Sequence, residues 1–409
     1  MMIGFLLLSF LIMATHAIAK DTTLSLSSRY NSTEEPPKSC IFDKIVIKKA
    51  ADFSAIGHCE SVRGNIEVTE FAESILRFDH LSKIEGSLTI KDSDQLTRVD
   101  AYSLRVITET FKMEKLQSLG LVETPNLATV KTLDWQILPL LSQAALDNLK
   151  DVQSITISDT SLETVAGFAG DKLYDLDINN NRFMESIQFD VEEVSNMLQI
   201  TGNANNVEVN LGNLEKARNM SVSNVRDLNV TNLNKVEGSM TVVENTFTKV
   251  SFPALTRIDG SFRMADNNAA KEAVLGAVVE IGGGVSIVNN TALENISFFS
   301  SLQSIGGALE LKGDIHESEW KSLKMVKGSI SLQSTNSAFD CGKWTDGPIR
   351  DTLRGGEIEC TVSRSEGPRS TSASGSSSGQ KTEHSSESTK KSICEWLMAT
   401  LVLVFSLVI

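Results

Sequence analysis

The chain has 409 residues, with 38 Lys and Arg against 52 Asp and Glu, a formal net charge of −14. It holds no basic stripe to neutralise phosphates, which excludes nucleic acid as a partner. Aromatic residues make up only 6%, which suits thin layers filled by Leu, Ile and Val.

In chain order, residues 3–13 are apolar but too few to span a bilayer, and Ala17, Ile18 and Ala19 supply the small-x-small pattern of a signal-peptidase site. Residues 1–19 therefore read as a signal peptide and 20–39 as a disordered N-terminal segment. Cys40 and Cys59 then mark an N-terminal cap over 40–61.

Beyond the cap one pattern recurs. Residues 81–90, 255–264, 302–311 and 323–332 each spell Leu-x-x-(Ile/Val)-x-Gly-x-φ-x-φ, where φ is apolar. The two φ positions alternate with polar residues and so face one side of a short strand. Such a strand buries its face only by stacking on its neighbours. The glycine slot is placed at 64, 86, 109, 133, 153, 174, 196, 218, 238, 260, 283, 307 and 328, twelve steps spanning 264 residues, a mean of 22. Gly fills seven of these slots. The middle coils, from Glu109 to Arg218, lack it but keep φ-x-φ, as at Ile155 and Ile157 or Leu176 and Ile178. Three residues past the second φ, Asn recurs at 181, 203, 245, 267 and 290. It reads as a ladder of turns at one corner, with side chains bonding exposed backbone of the next coil. The steady period predicts an all-β parallel solenoid of about thirteen coils of about 22 residues, against the alternative of a sandwich.

Cys341 and Cys360 follow the last coil as a C-terminal cap over 341–362, and 363–392 is a Ser-rich stalk without apolar periodicity. Residues 393–409 form an apolar tail. A polar spacer before a terminal apolar tail is the signal for a glycosylphosphatidylinositol (GPI) anchor, which places attachment at Ser385 or Ser386, with Ser378 a looser option. A single membrane span is the alternative, although the 14 residues of 396–409 are short of the roughly 20 a span needs.

There are five Cys. Cys394 leaves with the tail, and the remaining four sit in an oxidising compartment. The coils hold the ends apart, so pairing is local: Cys40 with Cys59 and Cys341 with Cys360. Each bridge is worth roughly 3 kcal/mol in the loop-entropy account. The caps cover the apolar cross-section and open edge that a solenoid leaves at each end. A zinc site is the rival, but no pair has Cys-x-x-Cys spacing. Sequons for N-glycosylation stand at Asn31, Asn219, Asn229, Asn289 and Asn295. Asn219 precedes the first φ of its coil and should face outward.

No catalytic set emerges, and no cofactor or metal is implied. His58, His80 and His316 lack triad partners in recognisable context. The run Gly282, Gly283, Gly284 reads as a close-packed corner rather than a phosphate cradle. Asp175 with Asp177, and Glu192 with Glu193, are acidic neighbours of the kind polysaccharide-cutting β-helices use. Asp175 and Asp177 would share the outer face of one strand, as an exposed pair. Residues 178–183 form the most polar turn, structural before it is a binding loop.

The repeat with Cys pairs at both ends resembles receptor L domains, the ligand-binding solenoids of insulin- and EGF-receptor ectodomains. Residues 155–168, 178–183 and 282–290, with the closing Cys341 and Cys360, resemble more closely the fungal GPI-anchored cell-wall proteins of the ECM and SPS (sporulation-specific) type. The stalk here departs from that pattern in being short and holding several Lys and Glu, which leaves membrane residence and covalent linkage to the wall both open. The resemblance implies a right-handed parallel β-helix, leucine-rich-like and receptor-L-domain-like, in two L-like halves over 62–200 and 201–340. It implies a plasma-membrane or wall-linked mannoprotein needed for wall integrity and, in some members, spore-wall assembly, and it carries over no catalytic residues. The expected partners are cell-wall glycans or wall mannoproteins, with the membrane reached through the GPI lipid. The alternatives are a wall-polysaccharide glycosidase or lyase, and a ligand-sensing receptor ectodomain.

Overall fold

A computed structural model describes residues 35–363. They wind into a solenoid of parallel strands, disulfide-closed at both ends. One long sheet runs from Ile41–Ile47 at the first cap to Ile358–Val362 at the last. Over residues 75–274 the other side of the coils belongs to shorter sheets, and beyond them the isolated bridge between Asn295 and Glu317 takes their place. Ile75–Arg77, Arg98–Asp100, Leu121–Glu123 and Gln143–Ala145 form one; Thr164–Ala169, Ser186–Asp190, Val207–Asn210 and Val225–Asn229 another; Lys249–Ser251 and Glu272–Val274 a third.

The φ-x-φ pattern explains the register. The first φ residues stack directly on one another: Leu88 on Phe111, Phe111 on Leu133, Leu133 on Ile155, Ile155 on Leu176, and so on to Leu309 on Ile330. A one-residue slip would turn every one of them to solvent. The second φ residues make a parallel file, in which fully buried Trp135 meets Phe111 edge-on at 5.6 Å. Near the C-terminal end Phe262, Phe299, Trp320 and Trp344 pack in sequence and carry the core into the cap. Trp344 Nε1 donates to Ser318 Oγ at 2.8 Å, so this buried indole is satisfied.

One slot is corrected. Leu133 pairs with Phe111 and is an inward residue, so the slot of its coil is Lys131. The steps on either side then become an even 22 residues. The slot is a place of close approach. A Cβ on Gly260 would lie 2.5 Å from the carbonyl carbon of Gly238, and one on Gly64, whose φ is +131°, would lie 1.8 Å from the oxygen of Phe42. Coils without Gly solve the crowding differently. Their strands run unbroken through the corner, and the ladder shifts register between Ile107 and Thr110, Leu173 and Asp175, and Val194 and Met197. The extra residue lies in the strands Val106–Glu114 and Glu193–Thr201. In Lys172–Asn179, opposite the second of these bulges, Tyr174 and Asp175 both face outward between buried Leu173 and Leu176, and Tyr174 is 54% exposed.

The recurring Asn residues do form a ladder at the corner, and it lies inside the core. Asn181 and Asn267 are fully buried, and Asn203, Asn245 and Asn290 nearly so. Their side chains bond the backbone of the preceding coil rather than that of the following one, and Asn181, Asn245 and Asn267 also donate to the Asn side chain of the coil after. Asn203 Oδ1 accepts from the Asn181 backbone N–H at 3.0 Å, and Asn203 Nδ2 donates to the Ile178 carbonyl at 2.8 Å. The corner itself is made one residue earlier, where a left-handed residue recurs: Glu70, Asp92, Lys115, Ile137, Asp159 and Asn180, with φ between 47° and 57°, and onward to Asn289 at 56°. Asn and Asp visit this region readily, whereas an L-residue without a small polar side chain pays about 1–2 kcal/mol. Ile137, β-branched and 36% exposed, is the misfit. Ile137→Asn should raise stability by about 1 kcal/mol, read as a higher urea midpoint at unchanged slope.

The two caps differ. Cys40 and Cys59 are buried, whereas Cys341 and Cys360 are half-buried, held between the short helix Gly342–Thr345 and the edge strand Ile358–Val362. Reduction requires a thiolate to reach sulfur. Under graded reductant with alkylation and mass mapping, the Cys341–Cys360 bridge should open first.

Candidate functional site

The long sheet turns a continuous polar face to solvent, built from the residues that alternate with the buried files. Its character changes along the chain. Toward the N-terminus it is zipped by charge: Lys44 to Glu67 at 2.9 Å, Lys91 to Glu67 at 3.6 Å, Lys112 to Glu114 at 3.2 Å and to Asp134 at 3.5 Å. Over the five rungs from Asp151–Thr160 to Met240–Val243 two lanes of outward positions beside the buried pair are hydroxyls and amides, apart from Asp175, Asp177 and Met197. One lane reads Thr156, Asp177, Gln199, Ser221, Thr241; the lane beside it reads Ser154, Asp175, Met197, Asn219, Ser239. Asp175 and Asp177 are the only charges in these lanes.

Both acids project from the strand Lys172–Asn179, with Leu176 buried between them. They are half-buried rather than freely exposed, a correction to the expectation. Asn196 Nδ2 donates to Asp175 Oδ1 at 2.7 Å, and Asn179 Nδ2 to Asp177 Oδ1 at 2.8 Å. Ser158 Oγ in turn donates to Asn179 Oδ1 at 2.7 Å. Neither acid has a cationic partner among the described residues. Burial pushes the Asp177 carboxyl above the usual range, the Asp175 charge adds to this, and the Asn179 amide opposes it. A raised folded-state value means that the favourable balance is complete below the unfolded-state pKa and is lost as pH climbs through the folded one. Asp177→Asn should therefore gain stability at neutral pH relative to the native chain and lose the advantage in acid, measured as unfolding midpoint against pH.

The other candidates fall into structural places. Lys172 lies 2.9 Å from Glu193 and holds its carboxyl below the usual range. Gly282 and Gly283 lie against the backbone of Asp259 and Gly260, where a Cβ on Gly282 would meet the Asp259 oxygen at 2.1 Å. In 178–183, Ile178 and Asn181 are core, Asn180 is the left-handed corner, and exposed Arg182 stacks on Phe183 at 5.6 Å. His316 lies 3.5 Å from both Glu294 and Asp314. His58 Nε2 lies 3.7 Å from the sulfurs of Cys40 and Cys59. This trio is the metal-like grouping among the described residues, but both sulfurs are spent in a disulfide, so it has no thiolate to offer a cation. Concavities lie at the caps, around Phe53 and Arg77 and around Trp320 and Lys343.

Among the sequons, Asn229, Asn289 and Asn295 are exposed. Asn219 lies on the polar face but is half-buried and engaged at both ends of its amide: Nδ2 donates to the Asn196 carbonyl at 3.2 Å and Oδ1 accepts from the Ser239 N–H at 3.1 Å. Asn31, Ser385 and Ser386 lie outside the described residues. Tyr174, Asn179, Asn196 and Gln199 were missed as site residues. Outward parity beside Asp175 and Asp177 was the available signal for Asn179; the others need the coil-to-coil register.

No family model matches the chain. It is 32% identical over 343 residues to sporulation-specific protein 22 of Saccharomyces cerevisiae, covering 82% of this chain and 74% of that one. It is 34% identical over 307 residues to sporulation-specific protein 2 of the same yeast, covering 74% of this chain but only 61% of that longer protein. It is 29% identical over 320 residues to a "cell surface GPI-anchored protein" of Arthroderma benhamiae, covering 78% and 82% respectively.

Proposed function

The chain belongs to the fungal family of sporulation-specific protein 22, and from that premise we propose that it is a non-catalytic, GPI-anchored surface glycoprotein that organises the cell wall, the ascospore wall included. The observation that carries this beyond kinship is the sheet: a long, regular, hydrogen-bonded surface whose polar groups are arrayed along an axis. Such a surface suits holding polymers in place more than cutting one bond. Asp175 and Asp177 stand side by side on one strand, whereas two-carboxylate hydrolysis needs groups flanking the bond from either side.

In this account 1–19 directs secretion and is removed, and 20–39 leads into the solenoid. The cap over 40–61, the halves 62–200 and 201–340, and the cap over 341–362 make the folded body. The stalk 363–392 carries the lipid at Ser385 or Ser386, and 393–409 is cleaved. Sugars sit on Asn31, Asn229, Asn289 and Asn295. Asn219 is the sequon least suited, because its amide ties two coils together. The partners are wall glycans or mannoproteins.

The test is made on intact cells. Phosphatidylinositol-specific phospholipase should release the protein, and cells lacking it should show a fragile vegetative or spore wall. Retention that only a glucanase relieves would move the chain from the membrane into the wall. A wall of normal strength in its absence, in both growth and sporulation, would remove the proposed role.

A further inference from the structure

We propose that the outer face of the long sheet, from the strand Asp151–Thr160 to the strand Met240–Val243, binds a neutral polysaccharide lying along the solenoid axis. The proposal deepens the wall role above and rests on it. Tyr174 is the stacking platform; Asp177, Asn179 and Gln199 hydrogen-bond the sugar hydroxyls.

Three observations converge on this stretch. The first is the break in charge. The N-terminal part of the same sheet is crossed by Lys–Glu and Lys–Asp pairs, and farther on Arg263 and Glu310 are exposed in the central lane. Between them that lane is hydroxyl and amide apart from Asp177. A surface evolved only for solubility would keep its mixed charges. The second is the pair of acids without cations. Each accepts a hydrogen bond from a neighbouring amide, Asn196 to Asp175 and Asn179 to Asp177, which fixes the carboxyl planes and leaves further lone pairs open outward. Carboxylates accepting from hydroxyls make the stronger class of hydrogen bond. The third is Tyr174. A glycine slot in other coils here carries a large ring, which stands outside the core between buried Leu173 and half-buried Asp175, opposite the bulge of the strand Glu193–Thr201. An exposed ring beside aligned acceptors is the arrangement that grips the apolar face of a sugar while its hydroxyls are read.

The occupant follows from charge and spacing. An acidic polymer meets two uncompensated carboxylates. A protein partner would want an apolar centre, and these lanes offer only the half-buried Met197. Rungs about 4.8 Å apart repeat hydroxyl and amide groups in a line, which matches a polymer that repeats its own hydroxyls.

The experiment uses the purified full-length chain in detergent, sedimented with insoluble particles of β-glucan, chitin or mannan. The native chain should co-sediment with at least one of them. Tyr174→Ala and Asp177→Asn should each weaken retention, together by about tenfold or more, with circular dichroism and unfolding midpoints showing the fold intact. Glu310→Gln, outside the stretch, should bind as the native chain does. No retention on any of the three polymers, or equal retention by the Tyr174→Ala, Asp177→Asn double variant, overturns the proposal. Complementation separates the two claims. A deletion strain with a weak wall that is fully rescued by the double variant keeps the wall role and rejects the face; a deletion strain with a sound wall rejects the role itself.

Discussion

Gly260→Val should destabilise the solenoid by about 3 kcal/mol or more, the upper range for forcing atoms into a packed site. The reason is backbone against backbone. A Cβ at 260 would stand 2.5 Å from Gly238 C, 2.6 Å from Gly238 O and 2.7 Å from Ser239 N. None of these is the flexible end of a side chain. The residue is also fastened on both sides, its N–H donating to Gly238 O at 2.8 Å and its carbonyl accepting from the Gly283 N–H at 2.8 Å. The coils would have to part to admit two methyl groups. Because a solenoid is stabilised by nearest-neighbour interfaces, parting one interface should also split the unfolding. A single transition should become broad or biphasic, with earlier proteolytic cutting near residue 260. Gly120→Ala is the matched control. Its Cβ would find its nearest atoms at 3.8 and 3.9 Å, so it should be neutral or gain about 0.4–1 kcal/mol from the unfolded state. Identical behaviour of Gly260→Val and Gly120→Ala would refute the close-approach account of the slot.

The same slot shows how far the sequence was legible. Where Gly and φ-x-φ coincide, placement from sequence matches the structure. In the coil of Trp135 there is no Gly, and the slot was set on Leu133 instead of Lys131. A displacement of two residues keeps the alternation, since side chains repeat every two positions, so Trp135 stays inward, but a slot at 133 also makes Ile137 an inward residue, and it is the exposed left-handed corner. The left-handed corner was not legible, because its occupants share no chemistry: Glu70, Lys115 and Ile137 serve beside Asp159 and Asn180. The stacking of coils imposes φ there and overrides local preference. The candidate face was half legible. Asp175 and Asp177 stood out as a pair, but Asn196 reaches Asp175 from 21 residues away and Ser158 reaches Asn179 from the same separation on the other side. Those contacts exist only once the coils are in register. Tyr174 owes its exposure to two outward residues in a row between Leu173 and Leu176, which strict alternation does not announce.

Asn is usually a surface residue, yet the recurring asparagines of the corner ladder lie inside the solenoid. Their interior place carries the second large prediction. Asn267 is fully buried. Its Oδ1 accepts from the Asn245 backbone N–H at 3.1 Å and from Asn245 Nδ2 at 3.0 Å, while its Nδ2 donates to the Val242 carbonyl at 2.9 Å and to Asn290 Oδ1 at 3.0 Å. Replacement by Leu keeps the bulk and removes every one of these. Asn245 Nδ2 retains the carbonyls of Val222 and Val243, but the Asn245 N–H is left with nothing inside a dry core. An orphaned buried group costs about 1–3 kcal/mol, and loss of the Asn245 and Asn290 amide links adds to it, so Asn267→Leu should cost about 3 kcal/mol. The N-terminal coils indicate a partial remedy. Ser93 occupies the equivalent corner, accepts from the Phe71 N–H at 2.9 Å and donates to the Lys91 carbonyl at 2.8 Å. Asn267→Ser should therefore recover part of what Leu loses, giving the order native, Ser, Leu in urea midpoint. Hydrogen exchange at the Asn245 amide reports the bond itself: slow in the native chain, faster in Ser, fastest in Leu. A Leu variant as stable as the native chain, with that amide still protected, would mean that packing of the inward files alone holds the coils and that the asparagines add nothing to it.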